Sequence, residues 1–269
     1  MIRRHLNGLL ALAVVALVCA APRASLAGED SDVARKAQNP LEHMISVPFE
    51  NNFNFGVGTD DDMQYVLNLQ PVIPFGLTRD WNLITRTIVP IIYQPLLIPG
   101  VGKTGGLGDI QASFFLSPRG SGAIIWGIGP IFSFPTATDN ALGTGKLSIG
   151  PTAAALTIQG RWLVGVLFNQ LFSVAGKSNR QAVSQMLIQP FINYNLDDGW
   201  YLTSSPIIIA DWKAETDKWS VPVGGGMGKI LWIGKAPINT SFQAFYYVAH
   251  PAIGPTWSLR LTVQFLLPE

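Results

Sequence analysis

The sequence predicts an all-β fold: a single transmembrane antiparallel β-barrel of about 12 strands that follows a cleaved N-terminal signal peptide. Three observations predict it. The chain is 48% hydrophobic and only 13% charged, whereas charged residues make up roughly 25% of an ordinary soluble domain. After the N-terminal leader, no apolar run approaches the roughly 20 residues that a membrane-spanning helix needs. Apolar and polar residues instead alternate with a period of two, which is the pattern of half-buried strands.

The first residues have the features of an export signal. Arg3 and Arg4 supply a positive start, residues 9–18 form an apolar run, and small side chains precede a cleavage point after Ala27. A lipoprotein alternative at Cys19 is disfavoured, because a bulky valine stands where lipoprotein processing requires a small residue. The mature protein is therefore expected to cross the periplasm of a Gram-negative cell and enter the outer membrane.

Removal of the leader also changes the net charge and the cysteine content of the mature chain. The formal charge falls from +1 to −2, because Arg3, Arg4 and Arg23 are lost. The chain then has no basic stripe for nucleic acid and no cysteine for a disulfide, so its stability must come from elsewhere. The predicted division is a signal peptide, 1–27, a periplasmic N-terminal segment or plug, 28–43, and an outer-membrane β-barrel, 44–269.

Twelve segments separated by turn residues are the predicted strands. Each is near the 9–11 residues that a tilted strand needs to cross a bilayer, and an even strand number is typical of bacterial barrels. In the last segment, Leu259 and Leu261 share one face while Ser258 and Arg260 share the other. The segments are 44–57, 62–75, 80–93, 107–117, 123–135, 146–157, 161–174, 183–195, 200–212, 218–229, 237–248 and 256–267.

A soluble β-sandwich would alternate in the same way, with its apolar face turned inward. The polar face here is mostly Asn, Gln, Ser, Thr and Gly, whereas a soluble surface usually carries Lys and Glu. Aromatic residues at segment ends favour membrane girdles: Trp81, Trp126, Trp162 and Trp200 at one rim, Trp212 and Trp219 at the other. Prolines inside segments predict bulges or broken pairing, at Pro71, Pro90, Pro130, Pro151, Pro190, Pro206 and Pro222.

Several stretches of the mature chain resemble one family of outer-membrane proteins. They are QNPL at 38–41, ISVPF at 45–49, LQPVIP at 69–74, WNLITR at 81–86, GLGD at 106–109, QPFINY at 189–194 and DGWYLTSSP at 198–206. Together they are similar to Gram-negative transporter-like barrels grouped with phenol-degradation MetA-pathway proteins, some of which are mislabelled neuromedin U. The resemblance implies a barrel and a role in the uptake of aromatic or other small compounds. It implies no particular binding residues.

Catalytic, cofactor and metal sites find little support in the sequence. The mature chain has two histidines, His43 and His250, which the predicted topology places at opposite ends of the barrel. A lipid-modifying enzyme built on His250 is a remote alternative, since a solvated loop histidine is the favoured interpretation. Residues 60–62, three aspartates, are interpreted as a solvated turn in preference to a Ca²⁺ site. The glycine-rich stretch 100–106 lacks the first glycine and the helix of a phosphate loop, and glycines 224–226 fit a crowded strand.

The remaining candidates are polar side chains on the predicted lumen face. Charges at membrane depth must face water or one another, so they either set a selectivity ring or pair across a plugged lumen. A barrel of twelve strands is expected to have a narrow bore. The predicted pore-lining residues are Glu50, Asn52, Asn54, Asn68, Gln70, Arg86, Asp109, Gln111, Gln243 and Arg260.

The leading functional hypothesis is a porin-like channel for passive passage of small solutes, with no catalytic residue, cofactor or metal. The alternative is a non-conducting barrel that acts as an envelope scaffold or surface anchor. Expected partners are outer-membrane lipids, small-molecule solutes and the barrel-assembly machinery during insertion, with no nucleic acid. The sequence leaves the oligomeric state and the identity of the solute open.

Overall fold

A computed structural model describes residues 27–97, 102–120 and 122–267. The signal peptide up to residue 26 and the start of the glycine-rich stretch 100–106 lie outside these residues. The elements are α1 (Ala27–Gln38), β1 (Ile45–Val57), β2 (Asp62–Leu69), β3 (Val72–Gly76), β4 (Trp81–Gln94), β5 (Thr104–Leu107), β6 (Ile110–Pro118), β7 (Ile125–Phe134), β8 (Lys146–Gln159), β9 (Trp162–Gly176), β10 (Ser184–Asn195), β11 (Trp200–Ser204), β12 (Ile208–Asp211), β13 (Trp219–Ile233), β14 (Ala236–Ala249) and β15 (Trp257–Leu267).

The strands form one closed antiparallel barrel of twelve staves, where a stave is one strand, or two strands in line, that runs along the barrel wall from end to end. Three staves are each built from two strands with a short interruption between them, namely β2 with β3, β5 with β6, and β11 with β12. Each stave pairs with its neighbours in the chain, and β15 pairs with β1 from Ile45 opposite Leu267 to Phe55 opposite Trp257. This last pairing closes the sheet, so no strand edge is left open. The predicted twelve-stranded antiparallel barrel is confirmed.

The seven prolines predicted to disturb pairing all lie in or beside gaps in the strand pairing. Pro71 and Pro206 fall in stave interruptions, and a register shift occurs at Pro222. Because proline has no N–H to donate, a gap in the neighbouring ladder removes the conflict. The other four prolines each face such a gap in a neighbouring strand. Pro90 lies opposite the 108–109 interruption, and Pro190 lies opposite the 205–207 interruption. Pro130 lies at a gap in the pairing of β6 with β7, and Pro151 lies at a gap in the pairing of β8 with β9. The prediction of locally broken pairing is correct.

The barrel is apolar outside and polar inside. Along β15, Leu261 and Phe265 are each 42% exposed, whereas Ser258, Arg260 and Gln264 are buried. A soluble sandwich would show the reverse, so that alternative is excluded. Among the described residues, no helix has the length and apolar character needed to span a membrane. The exposed apolar exterior is the lipid-facing surface of a transmembrane barrel.

The tryptophans mark the two membrane interfaces. All eight lie at, or within one residue of, strand ends. Those beside the short turns are Trp81, Trp126, Trp162, Trp200 and Trp232, and those beside the longer loops are Trp212, Trp219 and Trp257. Short turns lie at the periplasmic end in barrels of this kind, so the chain enters the barrel from the periplasm. The predicted girdle positions agree with this arrangement.

The lipid-facing assignment predicts a depth-dependent cost of charge. Leu261 lies in the middle of β15, whereas Leu267 is the last residue of that strand at the periplasmic rim. We expect Leu261→Arg to lower the free energy of unfolding in lipid vesicles by about 2–4 kcal/mol, and Leu267→Arg to lower it by about 0–1 kcal/mol. Denaturant titration followed by tryptophan fluorescence measures both. Equal costs at the two positions would contradict the assignment.

Candidate functional site

A buried ion pair lies on the lumen wall where β1 meets β15. Asn52 and Arg260 are register partners on these strands. Arg260 Nε donates to Asn52 Oδ1 at 3.0 Å and lies 3.7 Å from Glu50 Oε1. Asn52 Nδ2 in turn donates to Glu50 Oε1 at 3.1 Å. The Glu50 and Arg260 side chains are only 13% and 8% exposed, so each offsets the cost of burying the other's charge.

The same arginine holds the interrupted stave at 205–207. Arg260 Nη1 donates to the carbonyl oxygen of Ser205 at 2.9 Å, and the Ser205 N–H donates to Gln243 Oε1 at 3.0 Å. Backbone groups that lack ladder partners are thus bonded by side chains that point into the lumen. The interruption is fixed in place by the polar layer of the interior.

Arg86 forms the other part of this polar layer, on β4. Its Nη2 donates to Gln70 Oε1 at 2.6 Å, and its register partners are Val72 and Ser113. Towards the outer loops, Asn54 Nδ2 donates to Gln64 Oε1 at 2.8 Å. The Gln64 amide then donates to Gln94 Oε1 at 2.6 Å, which carries the network to the loop end of β4.

The structure brings most of the predicted pore-lining residues together and separates one. One network contains Glu50, Asn52, Gln243 and Arg260. A second contact joins Gln70 to Arg86, and a third joins Asn54 to Gln64 nearer the outer loops. Asn68 lies opposite Glu50 on β2, and Gln111 lies opposite Ile88 on β4.

Asp109 has a different role from the other three predicted charges. Its Oδ2 accepts the Thr144 N–H at 2.6 Å and the Thr144 hydroxyl at 2.8 Å. Its Oδ1 accepts the Ala137 N–H at 3.2 Å. Asp109 therefore anchors the outer loop between β7 and β8 and does not join a ring with Glu50, Arg86 and Arg260.

The N-terminal segment lies inside the periplasmic end of the barrel. Ala34 on α1 is fully buried against Tyr201, Ile230 and Leu266, which belong to β11, β13 and β15. Gln38 Nε2, at the end of α1, donates to Asn195 Oδ1 on β10 at 2.9 Å. The helix is thereby fixed to one side of the lumen wall.

Leu41 carries the segment across to the other side. It is buried in a cluster with Ile84, Phe115 and Leu163, on β4, β6 and β9. A Cβ placed on Gly127 of β7 would lie 3.1 Å from Leu41 Cδ2, so the absence of a side chain there makes room for the leucine. Residues 34–41 therefore cross the lumen between two apolar contact areas on opposite walls.

Sequence reasoning left the position of this segment open, although one signal was present. Val33, Ala37 and Leu41 recur at every fourth residue, which is the spacing of one helix face. The stretch is short and otherwise polar, so periodicity alone does not say what that face packs against. The answer comes from small residues on distant strands, such as Gly127.

Tyr201 is a second feature that sequence reasoning missed. A Cβ on Gly228 of β13 would lie 2.2 Å from Tyr201 Cζ, so the tyrosine ring lies directly over this glycine. The Tyr201 hydroxyl thus reaches past β13 to donate to Asn239 Oδ1 on β14 at 2.7 Å. Asn239 Nδ2 continues to Gln264 Oε1 on β15 at 2.9 Å. Gly228 therefore lets a chain of polar contacts extend from β11 past β13 to β14 and β15.

A cavity of about 200 Å³ remains between the N-terminal segment and the polar layer. Its floor includes Lys36, Glu42 and Met44 of the segment or the residues just after it. Its wall carries both polar and apolar side chains. The polar lining includes Glu50, Gln70, Arg86, Tyr201 and Gln243, and the apolar lining includes Val72, Leu167 and Phe191. We call this space the chamber.

The candidates for other chemistry lie outside the lumen. His250 Nδ1 is 2.9 Å from the carbonyl oxygen of the adjacent Pro251 in an outer loop. Asp62 Oδ2 accepts a hydrogen bond from Lys103 Nζ at 2.7 Å, which raises the pKa of the Lys103 ammonium group. Within the described ranges, no group of three or more His, Cys, Asp and Glu residues is placed to hold a metal ion. Gly105 and Gly106 pair with β4 as part of a strand, unlike a phosphate loop.

Comparison with solved structures places this fold among known barrels. An outer-membrane channel from Pseudomonas putida F1 superposes with a TM-score of 0.62 at 16% sequence identity, over 83% of this chain and 94% of that one. The fold is that of an outer-membrane barrel. The apolar exterior and tryptophan girdles described above agree with that location, in contact with membrane lipids.

Two other solved barrels are more distant. An outer-membrane phospholipase from Salmonella typhi, a dimer with bound calcium, gives a TM-score of 0.46 at 12% identity over 93% of this chain and 99% of that one. The β domain of a Bordetella autotransporter gives 0.43 at 13% identity over 82% and 99%. No family model matches the sequence, and no curated protein matches it.

Proposed function

We propose that the protein is an outer-membrane channel for passive passage of small solutes, with its periplasmic opening narrowed by the N-terminal segment. The observation that carries the proposal is the chamber of about 200 Å³ inside a polar wall. Small barrels are filled by their own side chains, whereas larger ones leave aqueous space. In this barrel, space remains in the lumen although the N-terminal segment occupies one end. The barrel wall alone therefore encloses a path wider than the chamber.

The lining also favours passage over a purely structural role. In a non-conducting scaffold, charges at membrane depth are expected to pair within the wall, because unpaired charges there are costly. Glu50, Arg86 and Arg260 nevertheless lie in one layer of the interior, and Arg86 faces the chamber. Such a layer is what a selectivity filter for small solutes requires. The family resemblance of the sequence favours aromatic or other small compounds as the solutes.

We further propose that transport involves no catalytic step. A general base needs an orienting partner and a nucleophile within hydrogen-bond distance. The His250 ring contacts the carbonyl oxygen of its own neighbour, Pro251, and the ionisable groups of the lumen lie on the strands below this loop. Insertion by the barrel-assembly machinery stays a prediction.

Planar-bilayer recording tests the channel directly. We expect the mature chain, refolded in detergent and added to the bilayer, to give discrete current steps, and proteoliposomes to swell in small sugars or amino acids. Barrels that unfold only on heating migrate differently on gels before and after boiling, and this shift verifies folding in the same samples. Folded protein that gives neither current nor swelling, while a known porin does, would contradict the proposal.

A further inference from the structure

The polar layer does not balance its charges. It contains two arginines, Arg86 and Arg260, and one carboxylate, Glu50. That carboxylate lies 3.7 Å from Arg260 Nε and accepts the Asn52 amide. Of the other ionisable groups on the chamber floor, Lys36 is positive and Glu42 accepts a hydrogen bond from Asn39. The interior groups named here therefore sum to one net positive charge. Among the described residues, Glu50 forms its close ion pair with Arg260, and its attraction to Arg86 acts over a longer distance.

Arg86 has N–H donors that its contact with the barrel wall does not use. A guanidinium group carries five N–H donors in a planar fork that matches a carboxylate. Within the described part of the chain, its hydrogen bond is the one to Gln70 Oε1. Arg86 also lines the chamber, whereas Arg260 uses Nε and Nη1 on Asn52 and Ser205 of the wall. Arg86 therefore lines the chamber with N–H groups that the Gln70 contact does not use.

The chamber offers an apolar surface next to this guanidinium. Val72 is the register partner of Arg86 on β3, and Leu167 and Phe191 line the chamber from β9 and β10. Phe191 and Leu167 belong to the buried cluster that Leu41 completes. A ligand whose charged end meets Arg86 therefore has three apolar side chains near it for the rest of its body, interspersed with polar residues such as Gln189 and Asn193 of β10.

We propose that the chamber is a binding site for a small monocarboxylate with an apolar body, held by Arg86 at its carboxylate. This inference rests on the proposed channel and gives it a substrate class. Pockets for drug-sized ligands measure roughly 300–1,000 Å³, so a chamber of about 200 Å³ selects a smaller acid. An organic cation meets the net positive charge of the layer, and a neutral analogue gains no ion pair.

Isothermal titration calorimetry on the full mature chain in detergent tests the site, with benzoate as the probe. We expect benzoate to bind the wild type, and benzamide and acetate to bind more weakly, because one lacks the charge and the other lacks the ring. Arg86→Gln is expected to weaken benzoate binding by about tenfold or more, the scale of a lost charge-assisted hydrogen bond. Arg86→Lys keeps the charge and is expected to retain part of the affinity.

The matched control is Arg161→Gln, which removes the same charge from a periplasmic turn where Arg161 pairs with Asp197. It should leave benzoate binding unchanged. Equal binding of benzoate to wild type and Arg86→Gln, or equal binding of benzoate and inorganic phosphate, would overturn the site. Current recorded from the same preparations separates the two proposals. If the protein conducts current but does not bind benzoate, the proposed channel stands and the proposed binding site is contradicted. If it binds benzoate but conducts no current, only the proposed channel is contradicted.

Discussion

Deletion of residues 28–42, with the signal peptide and His43 onward retained, is expected to raise the single-channel conductance several-fold. The deletion removes Ala34 and Leu41, the two buried contacts by which the segment crosses the lumen. It also removes the floor of the chamber, so that the full cross-section of a twelve-stranded barrel is opened at the periplasmic end. Planar-bilayer recording measures the current steps, and liposome swelling reports the larger solutes that then pass.

Two further variants make this result specific. Leu41→Gln keeps the segment but places an amide in the apolar cluster of Ile84 and Phe115, so we expect brief steps in current between the wild-type level and that of the deletion variant. Asp32→Asn changes an exposed residue of α1, whose side chain is 71% exposed, and should leave the conductance unchanged. A deletion variant that is folded and conducts like the wild type would show that the segment does not restrict the path of solutes.

The barrel was predictable because its information is local and repeated. One-residue alternation decides which face a side chain takes, and the same rule holds along every strand from β1 to β15. The apolar face of Leu261 and Phe265 follows from that rule. The tryptophan rims and the pairing gaps beside prolines follow from the residue type at single positions. In each case the neighbouring residues in the chain, together with the bilayer, decide the outcome.

The sequence predicted which side chains face the lumen but not which groups those side chains contact. Alternation placed Glu50, Arg86, Asp109 and Arg260 on the inner face as one group. Whether two inward side chains meet depends on their heights and on the gaps between staves. Asp109 lies beside the interruption between β5 and β6, where the β7–β8 loop presents its N–H groups, and these bind it instead. Contacts of this kind join residues far apart in sequence, and no local pattern records them.

The N-terminal segment shows the same limit more strongly. Its helix is short and marginal by itself, and its place is fixed by shapes on other elements. Gly127 makes room for Leu41, and Asn195 accepts the amide of Gln38. A single sequence contains these residues but not their proximity. The predicted alternatives, a plug or a free periplasmic segment, differ only in such distant contacts.

Arg260→Met is expected to be the most destabilising single substitution in the interior. The methionine retains much of the apolar stem, while Glu50 loses its cation and keeps the Asn52 amide as a hydrogen-bond donor. The Ser205 carbonyl oxygen also loses its donor at the stave interruption. Removing one partner of a buried ion pair costs about 3–5 kcal/mol. Denaturant unfolding from lipid vesicles, followed by tryptophan fluorescence, measures the loss.

Comparison with two other variants separates charge from packing. The double variant Glu50→Gln with Arg260→Met removes the stranded carboxylate, so it should recover part of the lost stability. Arg161→Gln breaks the Arg161–Asp197 pair, whose side chains are 47% and 76% exposed, and should cost no more than about 1 kcal/mol because water screens that pair. If Arg260→Met costs no more than Arg161→Gln, the Glu50 carboxylate has another source of compensation, and the charge balance that leaves Arg86 available for a ligand is wrong as well. The stability of this one buried pair therefore tests the electrostatics on which the chamber's preference for an anion depends.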